Sequence, residues 1–390
     1  MPRIELKPGV FWVGARDWTR RVFDALIPLP LGTSYNAYLV KGKDKTALID
    51  TVNPGFEPIL LDNIRQVHDG GIDYIIMNHA EPDHAGGIPV VMETWPDAKV
   101  VASKKGLEMA SFYYKVGDEK AIEAGEGDTI DLGGKTLRFI DAPFLHWPET
   151  IFTYIEEDKV LFPCDFFGFH SSQAFYDDEE GDMIPMAQAY FGEIMMPFAK
   201  MGRKAMDKLE SYDIDMICPS HGPIHKDPKP IMEAYDKWTA GETKEKVMIA
   251  YVSMWKSTEM MVTAMQDVLM TEGIDVHVHN LDNADLGHLA RDLVDSRAVI
   301  LGSPTVLGGI HPVAAFAAAL VKALRPPARY GAFLGSYGWS GGAQKQALEI
   351  LGSTKIELVD AIDVKGPPSG PDLDKVKQTA KTIADKVKAG

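Results

Sequence analysis

The sequence predicts two α/β domains in tandem: a layered sandwich of strands and helices over residues 1–245, then a doubly wound parallel sheet over residues 246–390. Three observations carry this. Short apolar strands in the first part come in runs, with a few helical stretches between them. Strand and helix alternate regularly in the second part. A short polar segment, "TAGETKEK" (239–246), separates the two patterns.

In the first part, "TSYNAYLVKGKDKTALIDT" (33–51) reads as two strands joined by the polar turn Lys41–Lys45. "PGFEPILLDNIRQV" (54–67) and "GIPVVMETW" (87–95) have helical spacing. "AKVVASKKG", "KTLRFIDAP", "ETIFTYIEEDKVLFPCDFF" and "DMICPSHGP" read as further strands, most of them ending in polar or metal-competent residues. In the second part, the apolar strand "VMIAYVSMW" is followed by the helix "TEMMVTAMQDVLMTEG", closed by Gly273. Strands "IDVHVHNL", "AVILGSPT", "YGAFLGSYG" and "IELVDAIDV" then alternate with helices from "LGHLARDLVDS" to the C-terminal "PDLDKVKQTAKTIADKVKAG". Five strand–helix units in tandem imply a single parallel sheet.

The chain has 390 residues, 45% of them apolar and 25% charged, which suits an ordinary globular protein with room for two cores. Its formal charge is −16 and its pI about 5.1, so nucleic acid and anionic membrane surfaces are poor partners. No apolar run reaches the roughly 18 residues that span a bilayer; "HPVAAFAAALVKAL" (311–324) comes nearest and reads as a buried helix. "MPRIELKPGVFWVG" lacks the apolar core of a signal peptide. Cys164 and Cys218 stand in different motifs and are expected to be reduced, buried thiols of a cytoplasmic protein rather than a disulfide. With no Cys-x-x-Cys pair, the chain has no rubredoxin-type or iron–sulfur site of its own.

The densest chemistry is "YIIMNHAEPDHAGGI" (74–88), where an apolar strand runs into His79, Glu81, Asp83 and His84. His146, Asp165 and His221 recur in "APFLHWPET", "LFPCDFFGFH" and "CPSHGP", giving four imidazoles and three carboxylates. A turn with ligands at such close spacing cannot easily aim them all at one ion. It can divide them between two ions about 3.5 Å apart, with a carboxylate from elsewhere as the bridge. A carboxylate at position 81 adds charge and a hard donor; mixed imidazole and carboxylate ligands suit iron, whereas zinc favours nitrogen and sulfur. His68, His225, His288 and His311 read as hydrogen-bonded surface or capping residues, and the pair His277 and His279 as an exposed strand face.

Three loops of the second part lie where parallel sheets bind ligands. "YVSMWKSTEM" places Ser253, Met254, Ser257 and Thr258 at a helix N-terminus, which reads as a phosphate site or as a simple Ser/Thr helix cap. "GSPTVLGGI" offers Pro304, Thr305 and Gly308, and "GSYGWSGGA" offers Ser336, Tyr337, Gly338, Trp339 and Gly341, glycine-rich loops with an aromatic to stack on an isoalloxazine ring. FMN is the implied cofactor. A dinucleotide is not, since no Gly-x-Gly-x-x-Gly opens a helix.

These ligand-bearing segments of residues 1–245 together resemble the metallo-β-lactamase αββα sandwich, whose hydrolases carry His-x-His-x-Asp-His. The form here is His-x-Glu-x-Asp-His, and a flavodoxin-like half follows. Together they resemble the flavodiiron proteins, or A-type flavoproteins, over nearly the whole chain. The resemblance implies a non-haem, oxo- or hydroxo-bridged pair of irons. His79, Glu81 and His146 would hold one, Asp83, His84 and His221 the other, and Asp165 would bridge; the histidine matching His84 does not coordinate in every member. It also implies a cytoplasmic reductase of dioxygen, nitric oxide or both, working as a head-to-tail homodimer or dimer of dimers. The donor would be separate: a rubredoxin-like protein, a flavin reductase or reduced coenzyme F420. His170 is a candidate neighbour of the ligands, Tyr190 a candidate hydrogen-bond donor to a bound diatomic, and Trp147 a pocket wall. The acidic run "YDDEEGD" (176–182) reads as a solvated loop, with bordering the site or docking a donor as its functional alternatives. The rival functions are a metal-dependent hydrolase fused to a flavodoxin-like module, which Glu81 argues against, and a non-catalytic electron carrier.

Overall fold

The structure is a computed structural model that describes residues 4–179, 181 and 183–390. The chain forms two compact units, Met1–Tyr190 with Phe198–Asp236, and Phe191–Pro197 with Lys237–Gly390. Among the described residues no helix is long and apolar enough to cross a membrane. Glu180 and Asp182 of the acidic run lie outside the described residues. Asp178 of the same run pairs with Lys226 at 3.0 Å.

The first unit is built on two sheets. One runs Ile4–Lys7, Val10–Trp12, Tyr38–Lys41, Thr46–Ile49, Tyr74–Ile76, Lys99–Ala102 and Ala121–Glu123, antiparallel at first and parallel from Thr46–Ile49 onward. The other runs Thr129–Asp131, Thr136–Asp141, Ile151–Ile155, Val160–Phe162 and Met216–Ile217, of which the last pair is parallel. Successive strand residues point to opposite faces. Leu39, Leu48, Ile75 and Val100 therefore meet the helices through Leu60, Ile64, Ile88 and Val91. Their neighbours Val40, Ile49, Ile76 and Val101 meet Leu137, Phe139, Ile151 and Phe162 of the second sheet. Burial of each such side chain stabilises by about 1.5–3 kcal/mol. On the outer face, Phe152 stacks on Phe166 at 5.7 Å, and Phe166 meets Tyr235 of helix Lys229–Ala240 at 4.7 Å. The result is the αββα sandwich.

The segment 33–51 forms three strands rather than two: Thr33–Tyr35, Tyr38–Lys41 and Thr46–Ile49. The interruption falls at Asn36, whose side chain accepts from Trp12 Nε1 at 2.9 Å and donates to the carbonyls of Pro219 (2.8 Å) and Gly222 (2.9 Å). One buried amide thus ties the first sheet to the loop that carries His221. "SKKG" opens a helix instead of prolonging its strand. Ser103 Oγ accepts from Gly106 N at 3.1 Å and caps Lys104–Tyr113.

The second unit is a parallel sheet in the order Asp275–Asn280, Lys244–Tyr251, Ser296–Val306, Tyr330–Tyr337 and Glu357–Lys365, with Gly309–Ile310 turned back on the third of these. Helices Ser257–Thr271 and Gly370–Ala389 bury Met261, Met265, Val376 and Ile383 against Val247, Ile249 and Ile300 on one face. Strand order reverses between Lys244–Tyr251 and Ser296–Val306, the switch point at which such sheets take ligands.

Candidate functional site

The turn after strand Tyr74–Ile76 is pinned from below. Asp50 accepts from Asn78 N at 2.9 Å, and Thr51 holds the His84 carbonyl through its hydroxyl at 2.7 Å. Glu81 is extended, with φ −65° and ψ 141°, at the N-terminus of the single turn Pro82–Ala85, which bends its carboxylate back toward His79. Asp50, Cys164 and Phe167 have left-handed backbones, with φ of 53°, 51° and 71°. Non-glycine residues seldom adopt that conformation, and it gathers where a scaffold holds a site.

The seven predicted donors converge in two groups. In the first, Glu81 Oε2 lies 3.2 Å from His79 Nε2 and 3.0 Å from His146 Nε2. In the second, Asp83 lies 3.3 Å from His84 Nε2 and 3.1 Å from His221 Nε2. Asp165 faces both. Its Oδ2 is 3.6 Å from His79 and 3.7 Å from His146, while its Oδ1 is 3.1 Å from His84 and 3.5 Å from His221. Two ligands about 2.1 Å from a shared ion stand roughly 3.0–3.5 Å apart, so these spacings suit coordination. The donors of each group lie within 4.8 Å of one another.

Orphaned atoms support the same fit. Apart from those ion-pair contacts, both carboxylate oxygens of Asp83 and both ring nitrogens of His84 are buried without a well-formed hydrogen bond, a costly state unless they bind something. Burial opposes charge on Asp165, but His84, His79 and His221 hold it well below the usual carboxylate range. Burial likewise opposes charge on His84, yet Asp165 and Asp83 push it up to about 9. The carboxylates thus favour positive charge at the cluster, which a bound cation would also supply.

A further layer orients the donors. His79 Nδ1 is 2.7 Å from Glu149 Oε1, which also accepts from Ala80 N at 2.9 Å. His221 Nδ1 donates to the Ser34 carbonyl at 2.6 Å. Such partners fix the ring orientation of a metal-binding imidazole. Tyr190 donates its hydroxyl to Asp165 Oδ1 at 2.9 Å. His170 Nδ1 is 2.9 Å from Thr33 Oγ1, and its ring packs 4.6 Å from that of His221. Burial, aided by His221, holds His170 neutral. Trp147 meets His79 edge-on at 5.1 Å. Cys164 and Cys218 are free and buried.

Glu149, Thr33 and Ser34 are absent from the sequence-based site. Glu149 has one signal, a carboxylate three residues past His146; Ser34 acts through its backbone and leaves none. Two histidine readings are corrected. His225 is buried and bonds the Phe167 carbonyl at 2.9 Å. His277 and His279 do not form a plain exposed face: both hold the buried Asp292, at 2.8 and 2.9 Å. The carboxylate that pairs them comes from the neighbouring helix Leu286–Asp295, which their spacing does not reveal.

In the second unit, helix Ser257–Thr271 starts at Lys256, a left-handed residue with φ 67°, and has no side-chain cap. Apart from the Glu259 amide, its first amides are available to an anion. Ser253 Oγ accepts from Glu259 N at 3.2 Å, and Thr258 Oγ1 meets Ser336 Oγ at 3.0 Å, joining two of the three loops. Pro304 and Thr305 end strand Ser296–Val306, and Thr305 Oγ1 accepts from Ala343 N at 3.2 Å. A side chain at Gly308 or Gly338 would meet nothing within 4 Å. Trp255 and Trp339 are 86% and 91% exposed, Met254 is half exposed, and Tyr337 lies partly buried beside Gly341. The Ser257 and Thr258 amides beside two open indoles and small residues fit a phosphate joined to a flat aromatic ring.

Comparison with known proteins agrees with this geometry. Residues 33–222, which include all seven donors, match the family model described as "ODP family beta lactamase". The nitric oxide reductase of Moorella thermoacetica is 38% identical over 98% of both chains. The flavo-diiron protein FprA2 of Clostridium acetobutylicum is 33% identical over 99% of this chain and 100% of its own. The chain belongs to the flavodiiron family. Its fold follows the family closely: a solved structure of rubredoxin oxygen:oxidoreductase from Desulfovibrio gigas superposes with a TM-score of 0.95, at 31% identity and 99% coverage of both chains. A flavodiiron fold accounts for both halves, the αββα sandwich with its carboxylate-substituted turn and the parallel sheet with its three loops.

Proposed function

We propose that this chain is a flavodiiron oxidoreductase that takes electrons from an external donor through FMN to a non-haem diiron centre, reducing dioxygen to water, nitric oxide to nitrous oxide and water, or both. The observation that carries the proposal is Asp165, with one carboxylate oxygen toward each donor group. His79, Glu81 and His146 would hold one iron in this reading, Asp83, His84 and His221 the other, and Asp165, which faces both groups, would serve both. When bound, the irons supply a redox-active pair for a diatomic substrate and FMN supplies an electron relay.

The side chains of this chain do the rest. Glu149 and the Ser34 carbonyl fix the tautomers of His79 and His221. Tyr190 keeps its own proton and donates it in a hydrogen bond to Asp165 Oδ1, because burial and Asp165 raise its phenol well above the usual range. His170 stays neutral and braces His221 through Thr33. Trp147 walls the pocket beside His79.

Glu81 disfavours the hydrolase alternative. Hydrolysis asks only for a Lewis acid, while a hard anionic donor suits a metal that cycles. Ser253, Ser257 and Thr258 would take the FMN phosphate, and the loops of Pro304, Thr305 and Gly308 and of Tyr337, Gly338, Trp339 and Gly341 would take the ring. Domains 1–245 and 246–390 divide the work between irons and flavin. The donor is a separate rubredoxin-like protein, flavin reductase or reduced coenzyme F420. The assembly is a head-to-tail homodimer or dimer of dimers, and the exposed Trp255, Leu307 and Trp339 favour such a cover. Two free thiols suit a cytoplasmic setting.

The deciding experiment loads the protein with iron and FMN, reduces it chemically, and follows dioxygen and nitric oxide at an electrode. Consumption of either gas supports the proposal and the ratio of rates gives the preference. Zinc occupancy without consumption of either gas overturns it.

A further inference from the structure

Asp363 stands on strand Glu357–Lys365, paired in register with Gly335 of strand Tyr330–Tyr337. It lies beneath the glycine-rich loop of residues 335–343. Its Oδ1 is buried without a hydrogen-bond partner, and no cation pairs with its carboxylate among the described residues. Two glycines make the space it occupies. A Cβ on Gly335 would fall 2.5 Å from Asp363 Oδ1, and one on Gly341 would fall 3.0 Å from Oδ2. The same Gly341 position borders the Tyr337 ring at 3.7 Å. Any side chain at either glycine would displace the carboxylate or the loop, so the three residues form one packed unit.

A half-buried carboxylate with one oxygen buried and unpartnered is an unfavourable arrangement that the fold alone does not require. Its location gives it a use. The loop above it carries Tyr337, Gly338, Trp339 and Gly341, which the flavin reading assigns to the isoalloxazine ring. A fixed negative charge behind that loop acts on a ring whose charge changes with its oxidation state. In a medium of reduced dielectric such a charge is weakly screened.

We propose that Asp363 is a positioning residue of the flavin site whose charge sets the balance between oxidised and reduced FMN. This rests on the assignment of the three loops to FMN. The carboxylate disfavours the electron-rich reduced ring more than the oxidised one, and so lowers the potential of bound FMN.

The test uses the full-length protein reconstituted with FMN, at one fixed pH, comparing wild type with Asp363→Asn and Asp363→Ser. Spectroelectrochemical titration gives the potential, and equilibrium titration gives the affinity for oxidised FMN. Asp363→Asn nearly preserves shape, so affinity for oxidised FMN should change less than about threefold. Reduced FMN should bind about tenfold more tightly, which raises the two-electron midpoint by about 30 mV. Asp363→Ser, which loses the same charge with a smaller side chain, should shift it in the same direction. An unchanged midpoint in both variants, with FMN bound, overturns the proposal. Failure of the flavin assignment looks different: Trp339→Ala would then leave FMN affinity and flavin absorbance as in wild type.

Discussion

Glu81 differs from the hydrolase turn by one residue, and its consequences are chemical more than structural. The side chain touches His79 and His146, and those contacts hold it ionised against the cost of burial. Glu81→His should keep the fold and exchange the metal preference: iron content falls, zinc rises, and gas consumption by the reduced protein drops to background. Elemental analysis with the electrode assay checks this, and an iron-loaded, fully active variant would count against Glu81 as the selector. Glu149 acts one step further out. Glu149→Gln weakens the hold on His79, and affinity for the metal pair should fall about 10–100-fold while flavin absorbance stays unchanged. Competition against a chelator of known affinity measures it.

At the scale of elements, the π-helix Phe191–Met195 carries a second informative carboxylate. Glu193 lies by the N-terminus of helix Leu286–Asp295, so close that a Cβ on Gly287 would come within 2.9 Å of it. Burial first, and then Asp285, push its carboxyl up to about 8 from an ordinary 4.5. The native state therefore keeps a proton that the unfolded chain gives up. Stability from this group is fully present below about pH 4.5, declines as pH rises, and is lost above about pH 8. Glu193→Gln removes that decline. The variant should match wild type near pH 4.5 and exceed it by on the order of 2–4 kcal/mol near pH 9. Denaturant titrations at the two pH values decide it; parallel pH profiles for variant and wild type would show that Glu193 is charged in the native state.

Over the whole molecule, metal binding and folding of the first unit are linked. Four imidazoles and three carboxylates brought together under the sandwich are poorly compensated by one another alone. A ligand that binds only the folded state at 1,000 times its dissociation constant stabilises by about 4 kcal/mol. Chelation should therefore lower the melting temperature by several degrees, and iron should restore it; loss of bound iron without a change in melting would refute the linkage. Much of this protein was legible in its sequence. The donors His79, Glu81, Asp83 and His84 lie within six residues, so one turn fixes their neighbourhood, and period and glycine placement marked the strand–helix units and the three loops. Even there local pattern was incomplete: the strand interruption at Asn36 serves the distant carbonyls of Pro219 and Gly222. Tertiary structure alone brought His146, Asp165 and His221 to the turn, turned one oxygen of Asp165 to each group, set Glu149 behind His79 and gave His277 and His279 a shared Asp292. The physical reason is that spacing encodes the direction of nearby side chains, whereas contacts across many residues depend on how sheets and helices pack.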